Sequence, residues 1–240
     1  MTGDPQLRSA IVGLIGFAAA QEQTLLAAAP AGEQGTSRRW AALPLVAHNT
    51  EFKQQQVQRL RAILAGQVPP DFAEVDHGSA EVYRGYAGQA AADVPAASHR
   101  VAGELIDGVT QVSDADLHDP ARNPWLKGRK LWLQIVVRGF WHPAGHLGDY
   151  YLAHGQPDRA VALAEQAVAT ASYLGAPGEA RGMASYNLAC AAARAGLTGR
   201  AVAALREAIA LNPAVRANAA RDPDLATLRE MGLAEFAPVT

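Results

Sequence analysis

Apolar residues recur at intervals of three and four along nearly the whole chain, and nowhere do they alternate one by one as a half-buried strand requires. That rhythm leads to helices, and an all-α fold is expected. The first helix is read from about Gln6 to Leu26, stopping before the Pro30-Ala31-Gly32 break. Thr36 and Ser37 precede the second, which tolerates Pro44 near its first turn, runs through Phe52, Leu60 and Leu64, and ends at Gly66 with Pro69 and Pro70 beyond. A third helical region covers Ser79 to Val112, with an interruption at Pro95. The pairs Asp119-Pro120 and Asn123-Pro124 mark Ser113 to Lys127 as a loop. From Gly128 a fourth helix sets Leu131, Ile135, Gly139, His142 and His146 along one stripe.

With 240 residues and 49% hydrophobic content, the chain has ample material for a core. Its 21 basic and 23 acidic residues form no dense cationic tract, so nucleic-acid binding is not expected. Cys190 is the single cysteine and has no disulfide partner within the chain, which fits a reducing cytoplasm. The apolar run from Ala10 to Ala20 is too short to span a bilayer. Asp4 and Arg8 leave the stretch before it without the net positive charge of a signal peptide. It reads as a buried helix in a cytoplasmic protein with no membrane contact.

His142 and His146 stand four residues apart, so on a helix both imidazoles project from one face. His48 lies in the second helix, where periodicity places it beside Leu45 and Phe52 on the inward side. Two ligands from one helix and one from another would hold a divalent metal while leaving positions for water or substrate. Pro143 leaves two readings open. The helix is kinked but continuous, with Gly139 four residues back giving the backbone room to tilt, or it ends at Trp141 and the histidines flank a turn.

The Trp40 to Arg59 segment with His48, together with His142-Pro-Ala-Gly-His146-Leu-Gly-Asp-Tyr150, resembles the DinB-like four-helix bundle superfamily. The resemblance covers about two thirds of the chain and implies a metal site, zinc or nickel, on His48, His142 and His146. Relatives of this kind include thiol S-transferases and a maleylpyruvate isomerase. The implied activity is therefore transfer of a low-molecular-weight thiol, or of water, to a reactive electrophile as the small-molecule substrate. Asp149 and Glu51, each three residues from one of these histidines, are the candidate catalytic carboxylates, able to orient a ligand or a bound water. Both are equally readable as solvated charges. A homodimer is a further expectation.

The last third has another signature. Leu147-Gly148, Tyr151, Gly155, Ala160 and Ala167 keep the offsets of Leu188-Ala189, Ala192, Gly196, Ala201 and Ala208, a spacing similar to tetratricopeptide repeats. The interval is longer than the standard period of about 34 residues. That difference implies a longer second helix or loop around Tyr173 to Gly178. The segment beyond Pro213, including Asp222 to Arg229, resembles the closing helices of such arrays. The expected organisation is a metal-binding bundle over 1–154 and repeats over 155–240, with the first repeat helix shared with the fourth bundle helix from about residue 147. Two repeats alone are marginal, so they are expected to pack against the bundle. The competing reading is a non-catalytic interaction module whose repeats bind a protein partner.

The remaining candidates read as structural. Cys190 falls on an alanine-rich packing face and is read as an inert thiol. Trp40, Trp125, Trp141, Tyr150 and Tyr151 are read as packing residues, and His77, His99, His118 and His154 as surface residues. No phosphate-loop or nucleophile-elbow sequence occurs.

Overall fold

The structure is a computed structural model that describes residues 5–72, 80–88, 93–232 and 236. All regular elements among these residues are helical, and the strand-like pairing they show is an isolated bridge between Thr36 and Arg39. By Cα proximity the chain divides into two compact units, Met1–Leu147 and Gly148–Thr240.

The first unit contains α1 (Pro5–Ala28), α2 (Ala42–Leu64), α3 (Ala80–Ala87), α4 (Asp93–Gln111), α5 (Asp114–His118) and α6 (Leu131–Val136). Its core is apolar, with Ile11, Ile15, Leu60, Leu105, Leu131 and Ile135 fully buried. Inside this core lies a charged group of residues. Lys53 Nζ donates to Glu22 Oε2 at 2.5 Å, and Ser98 Oγ donates to the same oxygen at 2.8 Å, tying α2, α1 and α4 together. Asn49 and Gln56 flank Lys53 on the buried face of α2.

Several helix limits differ from the sequence expectation. The start of α2 is not at Thr36 and Ser37, because Thr36 is engaged in a tight turn in which Arg39 N donates to its carbonyl and hydroxyl oxygens. The helix begins instead where Glu33 Oε2 accepts the Ala42 N–H at 2.7 Å, a cap supplied from outside the helix. Pro95 does not interrupt the third region. It sits in the first turn of α4, where its missing N–H costs nothing. Ser79 and residues 89–92, which that reading included, lie outside the described residues. The expected loop from Ser113 to Lys127 is helical in short pieces: α5, then single 3-10 turns at Pro120–Arg122 and Pro124–Leu126. Each Asx-Pro pair starts a turn, with proline preset for the first helical position.

The helix through the histidines is continuous. Between α6 and α7 (His142–Ala153) runs a π-helical turn, Val137–Trp141, in which His142 N donates to Val137 O. Widening the coil just before Pro143 accommodates the residue that cannot donate. Gly139 serves packing as well. A Cβ there would stand 2.8 Å from Ile15 Cγ1 and 3.1 Å from Leu105 Cδ2.

The second unit takes the chain from within α7 through α8 (Pro157–Tyr173), α9 (Gly178–Arg194), α10 (Thr198–Leu211), α11 (Val215–Ala219) and α12 (Ala226–Glu230). Ala160, Ala167, Ala201 and Ala208 are all buried, as the matched offsets require for close helix approach. Gly155 and Gly196 occupy equivalent helix ends with φ of 68° and 75°. In both, the next residue's N–H reaches back to Tyr151 O or Ala192 O at 2.8 Å, the closure that a left-handed glycine permits. The longer interval is partly helix, since α8 has 17 residues and α10 has 14.

The helix α1 exceeds the Ala10–Ala20 run. At 24 residues it is long and apolar enough, by length and composition alone, to cross a membrane. Its buried residues nevertheless include Glu22, locked to Lys53.

Candidate metal centre

The three histidines meet. His48, buried on α2, has its Nε2 3.1 Å from the Nε2 of His142 on α7, and His146 stands one turn further along that helix. Ring centroids are 5.1 Å apart for His48 with either partner and 4.4 Å for His142 with His146. One ring nitrogen from each lies within 4.8 Å of the others. Two imidazoles bound to one zinc or nickel ion at about 2.0–2.1 Å, with tetrahedral or octahedral angles, place their nitrogens about 2.8–3.4 Å apart. The separation between His48 and His142 fits. His48 is buried, and His142 and His146 are half-buried.

Aromatic side chains hold these rings in place. Phe52 stacks on His142 at 4.2 Å with planes 15° apart, and lies 4.7 Å from His48. Trp40 and Tyr86 contact His48 at 5.4 and 5.1 Å, and Tyr83 lies behind Trp40 at 5.2 Å. Trp40 is therefore packing against a site residue, while Trp141, Tyr150 and Tyr151 are buried. Sequence reading passed over Tyr83 and Tyr86, whose i, i+3 spacing on α3 was the available signal. Arg138, four residues before His142, was also missed; its guanidinium lies 4.4 Å over the Phe52 ring.

A polar rim follows from these contacts. Tyr86 Oη donates to Glu51 Oε2 at 2.6 Å, Gln55 Nε2 to Glu51 Oε1 at 3.4 Å, and Arg138 Nη1 to Gln55 Oε1 at 3.4 Å. Burial, then the Glu51 carboxylate, push the Tyr86 phenol well above its ordinary range, so it stays a donor. Asp149, the other candidate carboxylate, is exposed and ion-paired with Arg194 of its own unit.

A second cluster of possible ligands, Cys190, Asp222 and Asp224, has its own hydrogen-bond account. Tyr186 Oη and the Cys190 thiol both donate to Asp222 Oδ2, at 2.6 and 3.7 Å, and Arg194 reaches Asp224 at 3.5 Å. These bonds fasten the turn at Pro223–Leu225 to α9. Of the other histidines, His99 is exposed while His118 and His154 are half-buried, and His154 stacks on Tyr150 at 4.0 Å. His77 lies outside the described residues. Comparison with protein-family models, curated proteins and solved structures found no match for this chain.

Proposed function

We propose that this chain is a divalent-metal-dependent enzyme in which His48, His142 and His146 are the ligands, and that it transfers a low-molecular-weight thiol or water to a reactive electrophile. The observation that carries this reading is the 3.1 Å approach of two ring nitrogens from separate helices, with a third imidazole one turn away. The same proposal takes the first unit as a DinB-like bundle and the second as about two tetratricopeptide-type hairpins with closing helices. It rests on the His-x-x-x-His pair of α7 facing a histidine of α2, and on the repeated register of buried alanines.

Zinc or nickel suits the imidazole donors, and when bound it lowers the pKa of a coordinated water or thiol, supplying a nucleophile at neutral pH. The chain's own residues prepare that step. Phe52 and Trp40 fix the ring planes of His142 and His48, so little reorganisation is needed on binding. Glu51, held by the Tyr86 phenol, is the carboxylate we assign to orient the incoming nucleophile. Asp149 is assigned no such part, since Arg194 already engages it.

Elemental analysis of the purified chain tests the reading first. Near-stoichiometric zinc or nickel is expected, with loss on His48→Ala, His142→Ala or His146→Ala. The loaded protein is then screened against electrophiles with mycothiol, bacillithiol, glutathione and water as acceptors. A metal-free chain that also refuses added zinc and nickel would sink the proposal and leave the interaction-module reading.

A further inference from the structure

Arg59 lies about three helical turns beyond His48 on α2, on the order of 16 Å along the axis, so it belongs to a different part of the bundle. Its guanidinium is held between two aromatic rings, with Cζ 4.9 Å from the Phe72 centroid and 5.1 Å from that of Trp125. The residue is 4% exposed. Nε donates to the Pro70 carbonyl at 3.4 Å, but Nη1 is buried and meets no acceptor among the described residues. The indole N–H of Trp125 is also buried and meets none among these residues.

Both orphaned groups are donors, so what would satisfy them is an acceptor. The surrounding charge agrees. Burial opposes the Arg59 charge most, the Asp71 carboxylate supports it and the Arg129 guanidinium opposes it, holding the group below its ordinary value. Among the described residues, two guanidinium groups are thus set against one carboxylate, an imbalance that a single negative charge would cancel. The two aromatic faces are occupied by the guanidinium itself, which leaves its edge for the ligand. Separate N–H groups on an arginine and an indole suit a species with two acceptor oxygens. Asp71 and Arg129 are exposed, and Phe72 and Trp125 half-buried, so the two donors lie beneath surface residues.

We infer that Arg59, Trp125 and Arg129 form a receptor for a small carboxylate monoanion, the size of acetate, bound on Arg59 Nη1 and Trp125 Nε1. The test titrates sodium acetate into the full chain at fixed ionic strength, with melting temperature and tryptophan emission as readouts. A saturable rise in melting temperature and a saturable emission change are expected. Arg129→Gln, an exposed change, should weaken acetate binding at least threefold, and Asp71→Asn should tighten it by removing a competing charge. Trp125→Phe should lose the emission change, and Arg59→Met should lose both responses. A linear, unsaturable response overturns the inference, as does one that Arg129→Gln leaves unaltered. So does phosphate binding as tightly as acetate, because the site would then not be selective for one charge. If Asp71 itself fills the two donors, the wild type stays silent while Asp71→Asn alone responds, and the receptor is refuted.

Discussion

A thiol half-buried beside two carboxylates is a poor nucleophile, and Cys190 is in that position. Burial, then Asp222 and Asp224, push it far above the usual cysteine range. The thiolate fraction falls about tenfold for each unit of upward shift. We therefore expect a disulfide reagent such as DTNB to modify native Cys190 at pH 8 at least about tenfold more slowly than the unfolded chain. Asp222→Asn should accelerate the reaction only in part, since burial remains the larger cause. Equal rates for folded and unfolded protein would show the thiol to be accessible and ordinary. At this same scale the histidine set was legible, because i, i+4 spacing on a helix fixes two directions and apolar neighbours fix the third. The rim was not. Tyr86 reaches Glu51 from a helix far away in sequence, and no local period records that contact. Arg59 and Lys53 were invisible for a related reason, since a charge on a helix reads as solvated until its burial is known.

Helices were easier to foresee than their ends. Hydrophobic period gave the existence of α1, α2, α4 and the histidine helix, whereas starts depend on single contacts such as Glu33 capping α2 from a preceding turn. The π-helical turn before Pro143 could not be read from residue types, because proline only requires that one carbonyl lose its partner and does not say how the coil accommodates it. Glycines make the distinction between propensity and packing measurable. At Gly182 of α9 a Cβ would fall 2.6 Å from Asn212 Cβ and 3.0 Å from two backbone atoms at the end of α10. Overpacking of that kind costs about 1–3 kcal/mol, more than the roughly 1 kcal/mol that alanine gains in helix propensity. Gly182→Ala should therefore lower the urea midpoint. At exposed Gly103 of α4 nothing lies within 4 Å of an added Cβ, so Gly103→Ala should raise stability by about 0.5–1 kcal/mol. If both changes stabilise, α9 and α10 do not approach as closely as the structure has them.

At the scale of the whole molecule the ambiguous element is α1, whose length and apolar composition would suit a membrane as well as a protein core. Glu22 separates the two roles. Its carboxylate is fully buried and receives both Lys53 and Ser98, so α1 is joined to α2 and α4 by a charge pair with almost no solvent. Removing one member of such a pair strands the other, which costs about 3–5 kcal/mol, whereas replacing both by apolar residues of similar volume is often neutral or stabilising. Lys53→Met should thus bring the unfolding midpoint down sharply, and the double change Glu22→Leu with Lys53→Met should recover most or all of the loss. The non-additivity is the signal, because it requires the two side chains to touch in the folded chain. Were α1 to lie elsewhere, apart from α2 and α4, the two substitutions would act independently, and the double variant would show the sum of its parts.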